Sequence, residues 1–337
     1  MARTSTGRPC RRSAPGLGRA EPAYGTVYIT AFAHHSVAKA ARLAGIRAAH
    51  IRTVPHTADL RMDPEAASAM IRTDQDAGLR PFLLVATAGT TDTGTVDPLP
   101  RLADLARRED VWFHVDAAYG GFFRLTARGA ERLAGIEEAD SITLDPHKTL
   151  FMPFGTGALV VRDLAALQAA HDGTGSYLQD MGAAGSVPDS GHLGPELTHE
   201  IRGLRAWLPL HLHGVDAFTG WTPSARPWTR SSTWPNTSTT RCPASPSWRS
   251  RSTPDLSTVI FRLRPADGSR AAAERADEAS RRLLERINGH RRIMLSSTVV
   301  DSRYTLRMCV VSHRTHHDRI AEALQIITAQ VKHHTTA

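Results

Sequence analysis

The chain lacks most of the features that label a protein at a glance. No run of about 18 apolar residues exists, so no membrane-spanning helix is expected. The first 22 residues carry arginines but no apolar core, so no secretory signal is expected in them. Cysteine is scarce: Cys10, Cys242 and Cys309 are widely spaced and suggest neither a disulfide framework nor a zinc motif. Reduced thiols in a cytoplasm are the simplest reading. No internal repeat is present.

Acidic residues are missing from two stretches, and this decides how the net charge of +8 is read. Residues 1–20 hold five arginines and no Asp or Glu, and residues 219–253 hold five more and again no acid. Taking those ten arginines from the total leaves −2 for everything else. The body of the chain is therefore not basic, and a nucleic-acid partner is not expected. Residues 219–253 also lack Leu, Ile and Val, yet hold four of the six tryptophans. No helical or strand period survives there. The segment reads as aberrant and unstructured, either a linker or the product of a shifted reading frame restored near Pro254. Residues 1–22, rich in Gly, Pro, Ser and Arg, read as a disordered arm.

Between these stretches the patterns are ordinary and informative. Strands are expected over 26–32, 46–53, 80–87, 111–115, 141–144 and 155–162, with helices over 37–44, 64–77, 98–108 and 202–214. Residues 171–199 are glycine-rich and read as a long loop. This alternation argues for a largely parallel sheet covered by helices. From Asp255 on, strands are expected over 256–263, 293–297 and 304–311, and helices over 271–288 and 318–331. Those elements suit a smaller α+β domain. The expected division is an arm over 1–22, a large domain over 23–218, the aberrant segment over 219–253 and a small domain over 254–337.

The chemistry concentrates in residues 111–148. One strand delivers Asp116, followed by the small residues Ala117 and Ala118. The next delivers Asp145, His147 and Lys148. In an α/β sheet, ligands bind beyond the carboxyl ends of the strands. A carboxylate, an imidazole and an amine would meet there. Each has a plain alternative: Lys148 as a solvated surface lysine, Asp116 as a strand-end cap, a histidine after a strand as a structural group. The histidines His313, His316, His317, His333 and His334 read as a solvated surface.

HVDAAYGG followed about 25 residues later by ADSITLDPHK resembles the pyridoxal phosphate (PLP)-dependent amino acid decarboxylases of the aromatic-amino-acid and glutamate decarboxylase group. The resemblance runs from about Val27 to Phe218 and again from Pro254 to about Thr328. It implies an α/β fold of the PLP-dependent transferase fold type I, with a mostly parallel large-domain sheet and a small C-terminal α+β domain. It implies that Lys148 bonds the cofactor and that Asp116 pairs with the pyridinium nitrogen. Ala118 would lie against the ring, His34 in AHHSV would stack on it, and Thr91 in GTT would sit beside it. Asp145 and His147 would lie near the phosphate or the lysine. The reaction implied is decarboxylation of an L-amino acid to an amine and CO2, in a homodimer.

The sequence departs from that pattern in two places. The group has a glycine- and serine-rich phosphate-binding turn upstream of the AH.S motif, and the 33 residues before His34 hold no such turn, so the chain reads as truncated at its N-terminus. The position of a loop tyrosine that protonates the reaction intermediate falls near Ser190, with Tyr177 and His192 as the nearest substitutes. With residues 219–253 unable to supply an apolar packing face, weak or absent activity and poorly docked domains are expected. Two other readings stay open: a non-catalytic remnant of the fold, and a metal-dependent hydrolase built on His34, His35, His114, Asp116, Asp145 and His147.

Overall fold

The computed structural model describes residues 25–171, 190–198, 200–215, 248–250, 254–312, 315 and 317–335. The arm over 1–22, Tyr177, His313, His316 and most of 219–253 lie outside the described residues. So do the side chains of Ser190, His317, His333 and His334.

The first sheet is built from β1 (Gly25–Thr30), β2 (Ile51–Val54), β3 (Arg80–Thr87), β4 (Trp112–Asp116), β5 (Ser141–Leu144) and β6 (Ala158–Val161), in the order β2-β1-β3-β4-β5-β6. The pairs from β2 to β5 are parallel, and β6 runs antiparallel to β5. Parallel strands need crossover connections. Here these include α1 (His35–Leu43), α2 (Pro64–Asp76) and α3 (Leu99–Arg108). Local signals set their ends. Asp63 caps α2 by accepting from the Glu65 and Ala66 N–H groups, with Pro64 at the first helical position. Arg107 and Arg108 close α3, where a cation meets the negative end of the helix dipole. The run RPFLLVAT of β3 ends in four buried residues, as a central parallel strand requires. The core between sheet and helices holds Tyr28, Met62, Ile71, Leu84, Leu102 and Phe113, each at most 1% exposed.

Beyond β4 come α4 (Ala127–Arg132), the short α5 (Pro146–Thr149) after β5, α6 (Leu164–His171) after β6, and α7 (Leu204–His213). The second sheet is antiparallel, in the order β7-β8-β10-β9, from β7 (Trp248–Ser250), β8 (Thr258–Leu263), β9 (Ser296–Val300) and β10 (Arg303–Cys309). The helices α8 (Arg270–Gly289) and α9 (His317–Thr335) share a core with it around Phe261, Leu283, Ile287, Leu306 and Ile327. The α/β architecture expected from the sequence is present. Among the described residues no helix is long and apolar enough to cross a membrane.

Four expectations need correction. The strand placed at 46–53 begins only at Ile51, because Ala48–His50 forms a turn of 3₁₀ helix first. The strand placed at 293–297 starts at Ser296. Asn288 explains this: its side chain donates to the Leu295 carbonyl and accepts from the Leu295 N–H, so Leu295 is satisfied outside the sheet. Within 219–253, Trp248–Ser250 is an edge strand paired with β8.

The fourth correction is the largest, because the two sheets are firmly joined. Asp255 is buried and accepts from the Val96 N–H at 2.9 Å and from Arg61 at 2.7 Å. Leu256 enters the core of the first sheet. Its seat depends on glycine. A Cβ at Gly120 would stand 2.0 Å from the Ala88 carbonyl oxygen and 2.9 Å from Leu256. Ser257 is hydrogen-bonded to the Tyr119 hydroxyl. Farther out, Thr298 donates to Asp92 at 2.8 Å, His56 meets Asp301 at 3.0 Å, and Phe32 and Leu60 pack with Ile260 and Val300. Poor docking was expected because residues 219–253 offer no apolar packing face, but the contact does not depend on that segment. It comes instead from residues 255–260 and the β9–β10 hairpin.

Candidate active site

The four adjacent strands β1, β3, β4 and β5 all point their carboxyl ends the same way. With strands about 4.8 Å apart, that edge is roughly 14 Å long. His34 follows β1, Thr91 follows β3, Asp116 ends β4, and Asp145, His147 and Lys148 follow β5. The topology therefore brings every one of the expected site residues to one edge of one sheet.

Asp116 is the terminal residue of β4, in register with Thr87 on one side and Thr143 on the other. Its backbone is pinned twice: the Ala88 N–H donates to its carbonyl at 2.8 Å, and the next residue, Ala117, donates to Thr143 at 3.0 Å. Its carboxylate accepts from the Ala118 N–H at 3.2 Å. Among the described residues no cation pairs with it. Two residues earlier on the same strand, His114 Nδ1 lies 2.8 Å from the Ser141 hydroxyl and Nε2 3.2 Å from that of Thr143. Burial pushes the His114 imidazole below its ordinary pKa, and the charge of Asp116 opposes this. The neutral ring braces β4 against β5.

Lys148 sits in α5 with its side chain 44% exposed, and its Nζ lies 2.8 Å from Asp145 Oδ2. His147 lies beside this pair, its Nε2 4.0 Å from the same Asp145 oxygen. Its Nδ1 lies 2.7 Å from the Thr156 carbonyl, and its ring meets the edge of Phe154 at 5.3 Å. His34 is exposed. It caps α1 through Nδ1, which is 2.7 Å from the Ser36 hydroxyl, and its ring lies 4.2 Å from that of His35. Thr91 is also exposed, whereas Thr90 beside it is buried among the hydroxyls of Thr93 and Thr95. The crevice is thus open above the sheet edge.

Sequence reasoning missed the groups that support this edge from below. Asp97 is buried and accepts from the Met62 N–H at 2.7 Å and the Thr87 N–H at 2.8 Å. Burial raises its pKa from 3.8 to about 6, with those two bonds opposing. Tyr119, one turn past Asp116, is pushed up to about 12 by burial, against the lowering effect of Ser257. The partner of Tyr119 lies 138 residues away, so no local signal announces it. The Asp145–Lys148 pair was legible as an i, i+3 spacing at the start of a helix.

The residues present fit PLP. A half-buried carboxylate without a cation suits a protonated ring nitrogen. A lysine stands beyond the adjacent strand. The buried Thr87 hydroxyl, beside Asp116 in register, also makes no hydrogen bond. The side chains required by a metal hydrolase are not gathered in this way: among the described residues no three His, Cys, Asp or Glu converge on one point.

Comparison with known proteins agrees with this geometry. Residues 21–224 match the pyridoxal-dependent decarboxylase conserved domain. The chain is 30% identical over 305 residues to an aromatic-L-amino-acid decarboxylase of Bacillus atrophaeus, covering 90% of this chain and 62% of that protein. It is 46% identical over 141 residues to an L-2,4-diaminobutyrate decarboxylase of Rhizobium meliloti, covering 42% of this chain and 28% of that protein. A solved structure of Oryza sativa TDC with PLP and tryptamine superposes with a TM-score of 0.83 at 30% identity, over 96% of this chain and 65% of that one. The chain therefore spans less than two thirds of the length of each of these three proteins. In fold, in the HVDAAYGG and DPHK motifs and in the strand ends that carry them, it belongs to the pyridoxal-dependent decarboxylase family.

Proposed function

We propose that this protein acts in PLP-dependent α-decarboxylation of an L-amino acid, giving an amine and CO2. The observation that carries the reading is the pairing of Asp116 and Lys148 at the ends of two adjacent parallel strands. When bound, PLP supplies an electron-accepting ring. Lys148 would bond its aldehyde, and Asp116 would hold a proton on the ring nitrogen, so the positive charge that makes the ring an acceptor is kept. Ala118, with no side chain beyond Cβ, leaves space for the ring over β4. His34 and Thr91 would cover it from the β1 and β3 side. His147, tied to Thr156, fixes the turn that presents Lys148.

The relatives support an aromatic or a diamino acid as the substrate. A homodimer is part of the reading. Exposed Leu204, Trp207, Leu208 and Leu212 on α7, with Leu159 and Val160 on β6, present apolar surface of the sort that a second subunit covers. A large domain over 23–218 and a small one over 254–337 would be its parts. The free thiol of Cys309 favours a reducing setting, and we place the protein in the cytoplasm.

The openness of the crevice favours a second reading beside the first: a site that one copy of this chain does not close by itself, with weak turnover or binding alone. Lys148 is 44% exposed, and His34 and Thr91 face solvent. One experiment addresses both readings. The protein is given excess PLP, reduced with borohydride and mapped by peptide mass, and CO2 release is then measured across the twenty amino acids. A pyridoxyl label on Lys148 with CO2 from one amino acid supports the enzyme. A label without CO2 supports the second reading. No label, or a label only on Lys39 or Lys332, the other two lysines of the chain, refutes the cofactor role of Lys148.

A further inference from the structure

The turn that carries Lys148 contains a contact that the function above does not use. Asp145 is the N-cap of α5, a position where aspartate ordinarily accepts a hydrogen bond from an N–H of the first turn. Its side chain makes no such bond. Oδ2 reaches forward to Lys148 Nζ at 2.8 Å, while the Lys148 N–H closes the turn on the Asp145 carbonyl at 2.9 Å. The other oxygen is walled in by the chain entering β6: a Cβ at Gly157 would lie 3.3 Å from Oδ1. Thr156, next to Gly157, holds His147, whose Nε2 stays 4.0 Å from the carboxylate, beyond hydrogen-bond reach. A carboxylate in this place is a poor neighbour for a phosphate, because like charges repel.

We infer that Asp145 is a positioning residue that keeps the Lys148 amine docked and less reactive until an aldehyde takes its place. The inference rests on the reading that Lys148 carries the cofactor. The sequence left Asp145 near either the phosphate or the lysine, and the geometry favours the lysine. To bond an aldehyde, the Lys148 ammonium must leave Asp145 and lose one proton to water. Its free electron pair then forms a bond to the aldehyde carbon. The two remaining hydrogens on nitrogen depart with the aldehyde oxygen as water, and a C=N bond replaces C=O. No oxidant or reductant is needed. The other titratable or charged groups around the turn are His147 within it, Asp116 at the end of β4, and Arg205. Arg205 reaches the Phe154 carbonyl from α7 and pairs with Glu200 at 2.8 Å.

The chain has only three lysines, which makes the test direct. The cofactor-free full chain is trace-acylated with acetic anhydride, and Lys148 is compared with Lys39 by peptide mass. Asp145→Asn should raise Lys148 acylation about two- to fivefold, the effect that a half-exposed ion pair supports. Asp145→Ser keeps a short polar side chain at the N-cap position of α5 but removes the charge, and should do the same. Capture of PLP at Lys148, trapped with borohydride at short times, should also be faster in both variants. Unchanged acylation in both, or slower capture, overturns the inference. A wild-type chain that takes no pyridoxyl label at Lys148 would refute the cofactor role alone. The acylation comparison then still decides whether Asp145 holds the amine.

Discussion

Replacing Asp255 should cost this protein more stability than any change at the candidate site, although Asp255 touches no proposed cofactor residue. Its carboxylate is 2% exposed and bridges three groups of the first sheet layer. It accepts from Arg61 at 2.7 Å and from the Val96 N–H at 2.9 Å, and lies 3.6 Å from Arg132. Asp255→Ala leaves the buried Val96 N–H without an acceptor, at roughly 1–3 kcal/mol. It also takes the carboxylate partner from Arg61, which keeps its hydrogen bond to the Val96 carbonyl. Breaking a fully buried pair costs about 3–5 kcal/mol, but Arg61 is 29% exposed and Arg132 42% exposed, so both regain water and much of that penalty is relieved. A net loss of about 2–4 kcal/mol is expected, against a total stability of about 5–15 kcal/mol. Asp255→Asn keeps an acceptor for Val96 and should lose about half as much. Urea unfolding followed by tryptophan fluorescence measures both. Hydrogen exchange should show lost protection at Val96 and along β8, on opposite sides of the joint. A loss below about 1 kcal/mol in Asp255→Ala, with exchange unchanged, would show that the sheets are not held together here.

Three further outcomes are expected. Asp97 has a folded pKa of about 6 against 3.8, so the folded chain binds its proton more readily between those values. Its stabilising contribution is present below about pH 4 and lost as pH rises through about 6, a change of about 3 kcal/mol. Subtracting the stability–pH curve of Asp97→Asn from that of the wild type should reveal this fall, and a flat difference would refute it. Asp116→Asn should still permit Lys148 to take up PLP but lose most turnover in any CO2 assay. Each tenfold lost corresponds to about 1.4 kcal/mol of barrier, and near-normal turnover would remove the role given to Asp116. Gly120→Ala should destabilise by about 1–3 kcal/mol or more, since its Cβ has no room beside Ala88 and Leu256. A thermal scan at wild-type values would contradict the packing described.

Much of the fold could be read from neighbouring residues alone. The strands at 80–87 and 141–144 fall where β3 and β5 are found, because their apolar runs and flanking turn residues act over a few positions. The helix after Asp63-Pro64 starts where its cap requires. Misplaced boundaries had nonlocal causes. Asn288 satisfies Leu295 across seven residues and so delays β9, and nothing in 293–297 records this. The helix expected at 202–214 forms as α7, yet none of its described residues is buried, and a sequence cannot say what surface its apolar side chains meet.

At the site, the sequence by itself determined which groups are available. Asp116 ends a strand, Lys148, His34 and Thr91 each follow one, and a strand's direction fixes the end at which its successor emerges. Only the tertiary structure decided that β1, β3, β4 and β5 lie side by side, so that those groups share one edge. It also decided that Asp145 turns to the lysine, and that Asp255 reaches Val96 across 159 residues to join the sheets. The physical reason is the same throughout. Backbone propensity and capping act within a few residues along the chain. Strand order, burial of charge and the seat left by a missing Cβ depend on segments that meet only after the chain has folded.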